Sequence, residues 1–233
     1  RYRTYHHLRQ YRLRQLTRPL QPGLGGCEYE AKLVAPSGDL FPQLKAAARA
    51  GDLAPFTLCP DFPYSTESAS INRYYRDAVG EFKAMLRGGT ARVVWKGTPA
   101  RVMAGPPDVT VLKRREVKQE AVSAWGEPMR SAALMGELNR EKKTFWVQDP
   151  SGSRLYRINL DYSQGFDFPD VLFQVEVEYG GRWLPCPPPD EAVVVRELVA
   201  LVRALRRRFP QLTPTPVTKW DWLQGVGTKP PRP

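Results

Sequence analysis

Two short stretches near opposite ends of the chain place ionisable side chains at alternate positions. In Glu28-Tyr29-Glu30-Ala31-Lys32 a β-strand would put both carboxylates and the ammonium on one face, leaving Tyr29, Ala31 and Leu33 on the other. In Phe173 to Tyr179 the polar parity holds Gln174, Glu176 and Glu178, against Phe173, Val175, Val177 and Tyr179. Four carboxylates on two neighbouring strands repel one another unless a cation lies among them. Oxygen donors suit a hard divalent ion, magnesium or manganese. Zinc would call for His or Cys, and neither His6 and His7 nor the scattered Cys27, Cys59 and Cys186 form a ligand set.

Positioning these groups needs more strands of the same two-faced kind. Thr90 to Lys96 offers Arg92, Val94 and Lys96 on one parity. Val109 to Glu120 is dense in charge, with Lys113 and Arg115 on one side and Arg114, Glu116 and Lys118 on the other. Lys142 to Gln148 reads as a strand, and Asp149-Pro150-Ser151-Gly152 as the turn after it. Arg154 to Tyr162 follows, with Arg157, Asn159 and Asp161 opposite Tyr156, Ile158, Leu160 and Tyr162. Helical periodicity predicts helices over Phe41 to Ala50, over Ser70 to Arg87, and after Asp190 along Val194, Val195, Leu198, Leu201, Val202, Leu205 and Phe209. Residues 127–141 read as a short helix or connector.

An antiparallel sheet with one charged and one apolar face can curl its charged face inward while helices cover the apolar one. The expected class is therefore α+β, an antiparallel β-barrel with helices packed outside. A charged lumen is costly unless its ions are paired or bind something. A phosphate chain meeting Lys32, Arg92, Lys113, Arg115 and Arg157, beside a carboxylate-held cation, satisfies that condition.

The Glu28-Tyr29-Glu30-Ala31-Lys32 strand paired with Glu176-Val177-Glu178 resembles the triphosphate tunnel metalloenzymes, and within them the RNA 5′-triphosphatase of eukaryotic mRNA capping enzymes. The resemblance spans roughly residues 27–209. It implies metal-dependent hydrolysis of the γ-phosphate of triphosphate-ended RNA. Glu28, Glu30, Glu176 and Glu178 would hold magnesium or manganese, Lys32, Arg92, Lys113, Arg115 and Arg157 would hold phosphate, and Asp161 would orient water. Two positions depart from the family's pattern: Gln174 stands where its last strand has a first glutamate, and Asn159 where its preceding strand has an aspartate. The alternative reading is a non-catalytic structural or RNA-binding subunit of a large ribonucleoprotein built on the same fold.

The 233-residue chain is long enough for one domain with a substantial core, and its formal charge of +11 with pI near 9.8 favours a polyanionic partner. Residues 1–26 lack Asp and Glu and interleave arginine with tyrosine, so they read either as an RNA-contacting arm or as the remnant of an organellar targeting segment. Residues 210–233 read as an extended tail whose Trp220 and Trp222 need a partner surface. No apolar run approaches the ~20 residues of a spanning helix. A capping enzyme would work in the nucleus; a ribonucleoprotein subunit with such an arm would suit a mitochondrion.

Overall fold

The computed structural model describes residues 19–225 except 63, 77, 79, 88–89, 103–107, 120–131 and 167–169. Its strands are β1 (Leu20–Gln21), β2 (Cys27–Val34), β3 (Thr57–Leu58), β4 (Thr66–Arg76), β5 (Glu81–Arg87), β6 (Thr90–Lys96), β7 (Ala100–Val102), β8 (Val111–Gln119), β9 (Ala133–Gln148), β10 (Arg154–Gly165), β11 (Val171–Trp183) and β12 (Thr213–Thr215). Helix α1 spans Leu40–Ala50, α2 Glu191–Arg208 and α3 Lys219–Leu223.

Eight strands in the order β11-β10-β9-β4-β5-β6-β8-β2 form an antiparallel ring, which the β2–β11 pairing closes. In that seam Glu176 lies opposite Lys32 and Glu178 opposite Glu30, so the two acidic stretches are neighbours in one wall. Eight strands leave an interior about wide enough for side chains and one small ligand.

The apolar parities form the main core outside the barrel. Tyr29, Ala31 and Leu33 of β2, Val175 and Val177 of β11, Ile158 of β10 and Phe145 of β9 are buried against α1 and α2. Leu40, Phe41, Leu44 and Ala47 supply the stripe of α1, and Val194, Leu198, Leu201, Val202 and Leu205 that of α2. Asp190 occupies the N-cap position of α2 without a side-chain capping bond. Instead Glu191 accepts hydrogen bonds from Tyr29 Oη at 2.9 Å and Lys113 Nζ at 2.5 Å, tying the helix start to β2 and β8. The expected turn after β9 is present: Asp149 accepts from the amides of Ser151, Ser153 and Arg154.

Two helix expectations are overturned. The Ser70 to Arg87 segment forms most of the β4–β5 pair, and 133–141, in the segment read as helix or connector, begins the long strand β9. Alternation explains both. Ser70, Asn72 and Tyr74 share one face of β4 while Ala69, Ile71 and Arg73 are exposed, and Leu138 and Arg140 are buried beside an exposed Asn139. The apolar residues that recur at helical spacing straddle residues 77–80, and each half packs as a strand.

Gly180 marks the bulge where the β10–β11 register shifts between Leu155 and Tyr156. A Cβ there would lie 2.3 Å from the Trp146 ring. Gly180→Ala should therefore lower the unfolding free energy by about 1–3 kcal/mol through overpacking, read as a fall in the urea midpoint. An unchanged midpoint would show that Trp146 yields freely.

Candidate functional site

Most of the charged parities point into the barrel and meet there as a network. Lys32 Nζ donates to Glu30 at 2.8 Å and to Glu176 at 2.6 Å. Arg114 reaches Glu30 at 2.9 Å, and Lys96 lies 2.6 Å from Glu28 and 3.3 Å from Glu116. Arg140 grips Asp161 through two nitrogens at 2.9 and 2.7 Å and touches Glu176 at 3.4 Å. Arg157 pairs with Glu178. Asn159 accepts from Thr144 Oγ1 at 2.7 Å and donates to Glu178 at 3.4 Å.

These partners set the protonation states. Burial alone would raise the carboxyl of Glu28, but Lys96 and Arg114 hold it down to about 2. Glu116 reaches about 2 in the same way, with Lys96 and Lys118 overcoming burial. Burial also opposes ionisation of Glu30 and Glu176, yet their basic neighbours keep both below the usual carboxylate range.

A cavity of about 230 Å³ runs through this network. Lys83 and Lys142 line it and form no salt bridge among the described residues, although Glu116 and Glu28 act on Lys83, and Asp161 and Glu176 on Lys142, through space. Burial, Lys96 and Arg140 push the Lys83 ammonium well below its ordinary value, and burial with Arg140 brings Lys142 to about 8. At one end, where the Glu28 and Glu178 side of the barrel lies, a second cavity of about 350 Å³ adjoins it, walled by Cys27, Trp146, Arg157 and Tyr179. At the other end β12 pairs with β2 and α3 covers the opening, where Trp220 meets Tyr74 edge-on at 4.6 Å. The tail is thus not wholly extended: Trp220 is only 3% exposed and packs on the barrel itself.

Of the residues singled out from sequence, Glu28, Lys32, Arg92, Arg157, Glu176 and Glu178 line the cavity, and Glu30 and Asp161 are buried in the ion pairs around it. Lys113 and Arg115 are not there. They occupy the opposite face of β8, Lys113 bound to Glu191 and Arg115 exposed. The inward parity of β8 is Arg114, Glu116 and Lys118. Lys83, Arg140 and Lys142 also line the cavity and escape a sequence reading, because the residues around them resemble a helix, a connector and a strand start. Lys219, hidden in the proline-rich tail, is missed for lack of any periodic signal.

No family model matches the sequence, and no curated protein matches it. Solved structures do. PH1819 from Pyrococcus horikoshii is similar over 86% of this chain and 99% of its own, with TM-score 0.53 and 13% identity. A conserved hypothetical protein from Pyrococcus furiosus covers 83% and 98% at TM-score 0.47 and 9% identity. The S. pombe Pct1 RNA triphosphatase, in a structure with the Spt5 CTD, covers 88% and 90% at TM-score 0.43 and 12% identity. With eight antiparallel strands closed around the convergent acids and bases of β2 and β11, the architecture is decided. The chain has the triphosphate tunnel fold.

The tunnel's acids do not fit a divalent cation as they stand. Glu28, Glu30, Glu176, Glu178 and Asp161 each bond a lysine or arginine of the chain, and among the described residues no three acids are grouped to hold an ion. Gln174 and Asn159 contribute amides rather than carboxylates, which weakens the attraction further. A metal would have to displace chain-borne cations to bind. No helix in the described residues is long and apolar enough to cross a membrane.

Proposed function

We propose that the tunnel binds a phosphate chain, foremost the 5′-triphosphate of an RNA, and holds it with ammonium and guanidinium groups of the lumen. The observation that carries this reading is the pair Lys83 and Lys142, lumen amines that form no salt bridge among the described residues and whose protonated forms a bound anion would favour. An unpaired charge out of water costs several kcal/mol, and an entering polyanion removes that cost. Arg157, Lys118 and Arg92 line the same cavity and extend the basic track. The net charge of +11 supports a nucleic-acid source for the phosphates. Hydrolysis is the second reading, favoured by the convergence of Glu28, Glu30, Glu176 and Glu178 with Asp161 and Lys32 in one lumen.

Calorimetric titration with tripolyphosphate, triphosphate-ended RNA and monophosphate-ended RNA tests the binding reading, with phosphate release followed in magnesium and in manganese. The triphosphate ligands should bind, and the monophosphate should bind at least about tenfold more weakly. Lys83→Met should separate stability from function: the melting temperature rises because a buried amine without an ion-pair partner gives way to an apolar side chain, while affinity falls about tenfold. Binding should also weaken as pH climbs through about 8, where Lys142 loses the proton that the anion favours. Absence of tripolyphosphate binding would end the proposal. Turnover that Glu28→Ala and Glu176→Ala both abolish would establish the hydrolase reading instead.

A further inference from the structure

Residues 213–223 return to the barrel in a way that presents one ammonium to the lumen. β12 lies along the end of β2, with Thr213 opposite Val34 and Thr215 opposite Lys32. Thr218 and Asp221 then close a reciprocal capping box that starts α3. Trp220 is buried between Tyr74 and the Arg114 guanidinium, the latter 5.8 Å from its ring. Gln174 donates through Nε2 to the Val217 carbonyl at 3.1 Å, which turns its amide oxygen toward the helix start. At the focus of these constraints Lys219 Nζ donates to Glu176 Oε1 at 2.8 Å, Asp161 Oδ2 at 3.1 Å and Gln174 Oε1 at 3.1 Å. An ammonium has three N–H donors, and here three oxygens from three side chains receive them.

We propose that Lys219 is a tethered internal cation, seated in an oxygen-lined position that would otherwise take a divalent metal ion, so that the tunnel binds its phosphate chain without metal. The inference rests on the phosphate-chain reading above. Two carboxylates and an amide oxygen converging on one point form the kind of hard donor set that magnesium and manganese select. The tail places a single positive charge there by covalent connection rather than by a binding equilibrium. Lys32 and Arg140 already touch the same Glu176, so a dication added beside Lys219 would face three cations.

Manganese binding measured by electron paramagnetic resonance, on the full chain and on Lys219→Ala and Lys219→Met, tests the proposal. The methionine keeps the aliphatic stem packed and guards against a failure of the alanine variant to fold. Removal of the ammonium should create one manganese site at least about tenfold tighter than anything in the unaltered protein, and adding Asp161→Asn should remove it. Equal manganese affinity in the unaltered chain, or a folded variant that gains none, would overturn the inference. Tripolyphosphate should bind the unaltered chain equally well in chelator and in manganese. Binding only with manganese would refute the internal-cation role yet leave the phosphate-chain reading intact, whereas no binding in either condition would end that reading while the resonance measurement still reports on Lys219.

Discussion

Replacing Glu176 with alanine should lower the stability of the folded chain by roughly 3–5 kcal/mol, the cost of leaving buried charges uncompensated. Glu176 is 6% exposed and is shared by Lys32 at 2.6 Å, Lys219 at 2.8 Å and Arg140 at 3.4 Å. Its loss takes one partner from three cations at once. Lys32 keeps Glu30, and Lys219 and Arg140 keep Asp161, but the local balance turns positive within a medium that screens poorly. Urea unfolding of Glu176→Ala against Glu67→Ala, whose carboxylate is exposed, isolates the effect of burial. A change below about 1 kcal/mol for Glu176→Ala would mean that water enters the lumen freely and that the network contributes little. Tripolyphosphate should partly rescue the variant by supplying the missing negative charge.

Acid should unfold the protein through the same network. Burial works against ionisation of Glu28 and Glu116, yet Lys96, Arg114 and Lys118 bring both to about 2. An unfolded glutamate titrates near 4.3. Because the folded values are depressed, the stability they provide is fully present above the unfolded value and is lost as pH falls through the folded one. Each carboxyl contributes on the order of 2–3 kcal/mol, and Glu30 and Glu176 shift in the same direction. The melting temperature should hold nearly level from pH 7 to about 5 and fall steeply from there toward pH 2. A flat profile between pH 5 and 3 would show that the lumen carboxylates titrate as they do in water.

The strands whose parities are cleanly divided were legible from sequence, and with them the closed barrel and the convergence of Glu28, Glu30, Glu176 and Glu178. Strand β8 was legible as an element but not in orientation. It carries charge on both faces, and the outward Lys113 is explained by Glu191, 78 positions away on a helix, and by the Tyr29 ring beneath it. Strands β4 and β5 escape a sequence reading because their apolar residues fall at helical intervals, and lumen groups such as Asn72 and Lys83 look like surface residues until the barrel closes over them. Lys219 is the hardest case. A lone lysine in a tail has no period and no motif, and only the ring of Asp161, Gln174 and Glu176 gives it meaning.

The seam between β2 and β11 also governs how the chain can assemble. Its Lys32–Glu176 contact joins residues 144 positions apart, whereas β4–β5–β6 and β9–β10–β11 are sequential neighbours on the chain. Loop-closure entropy opposes the distant pairing until those local meanders exist. Folding should therefore be slow and late to commit, with exposed strand edges and a half-built polar interior coexisting until the final stave locks the cylinder.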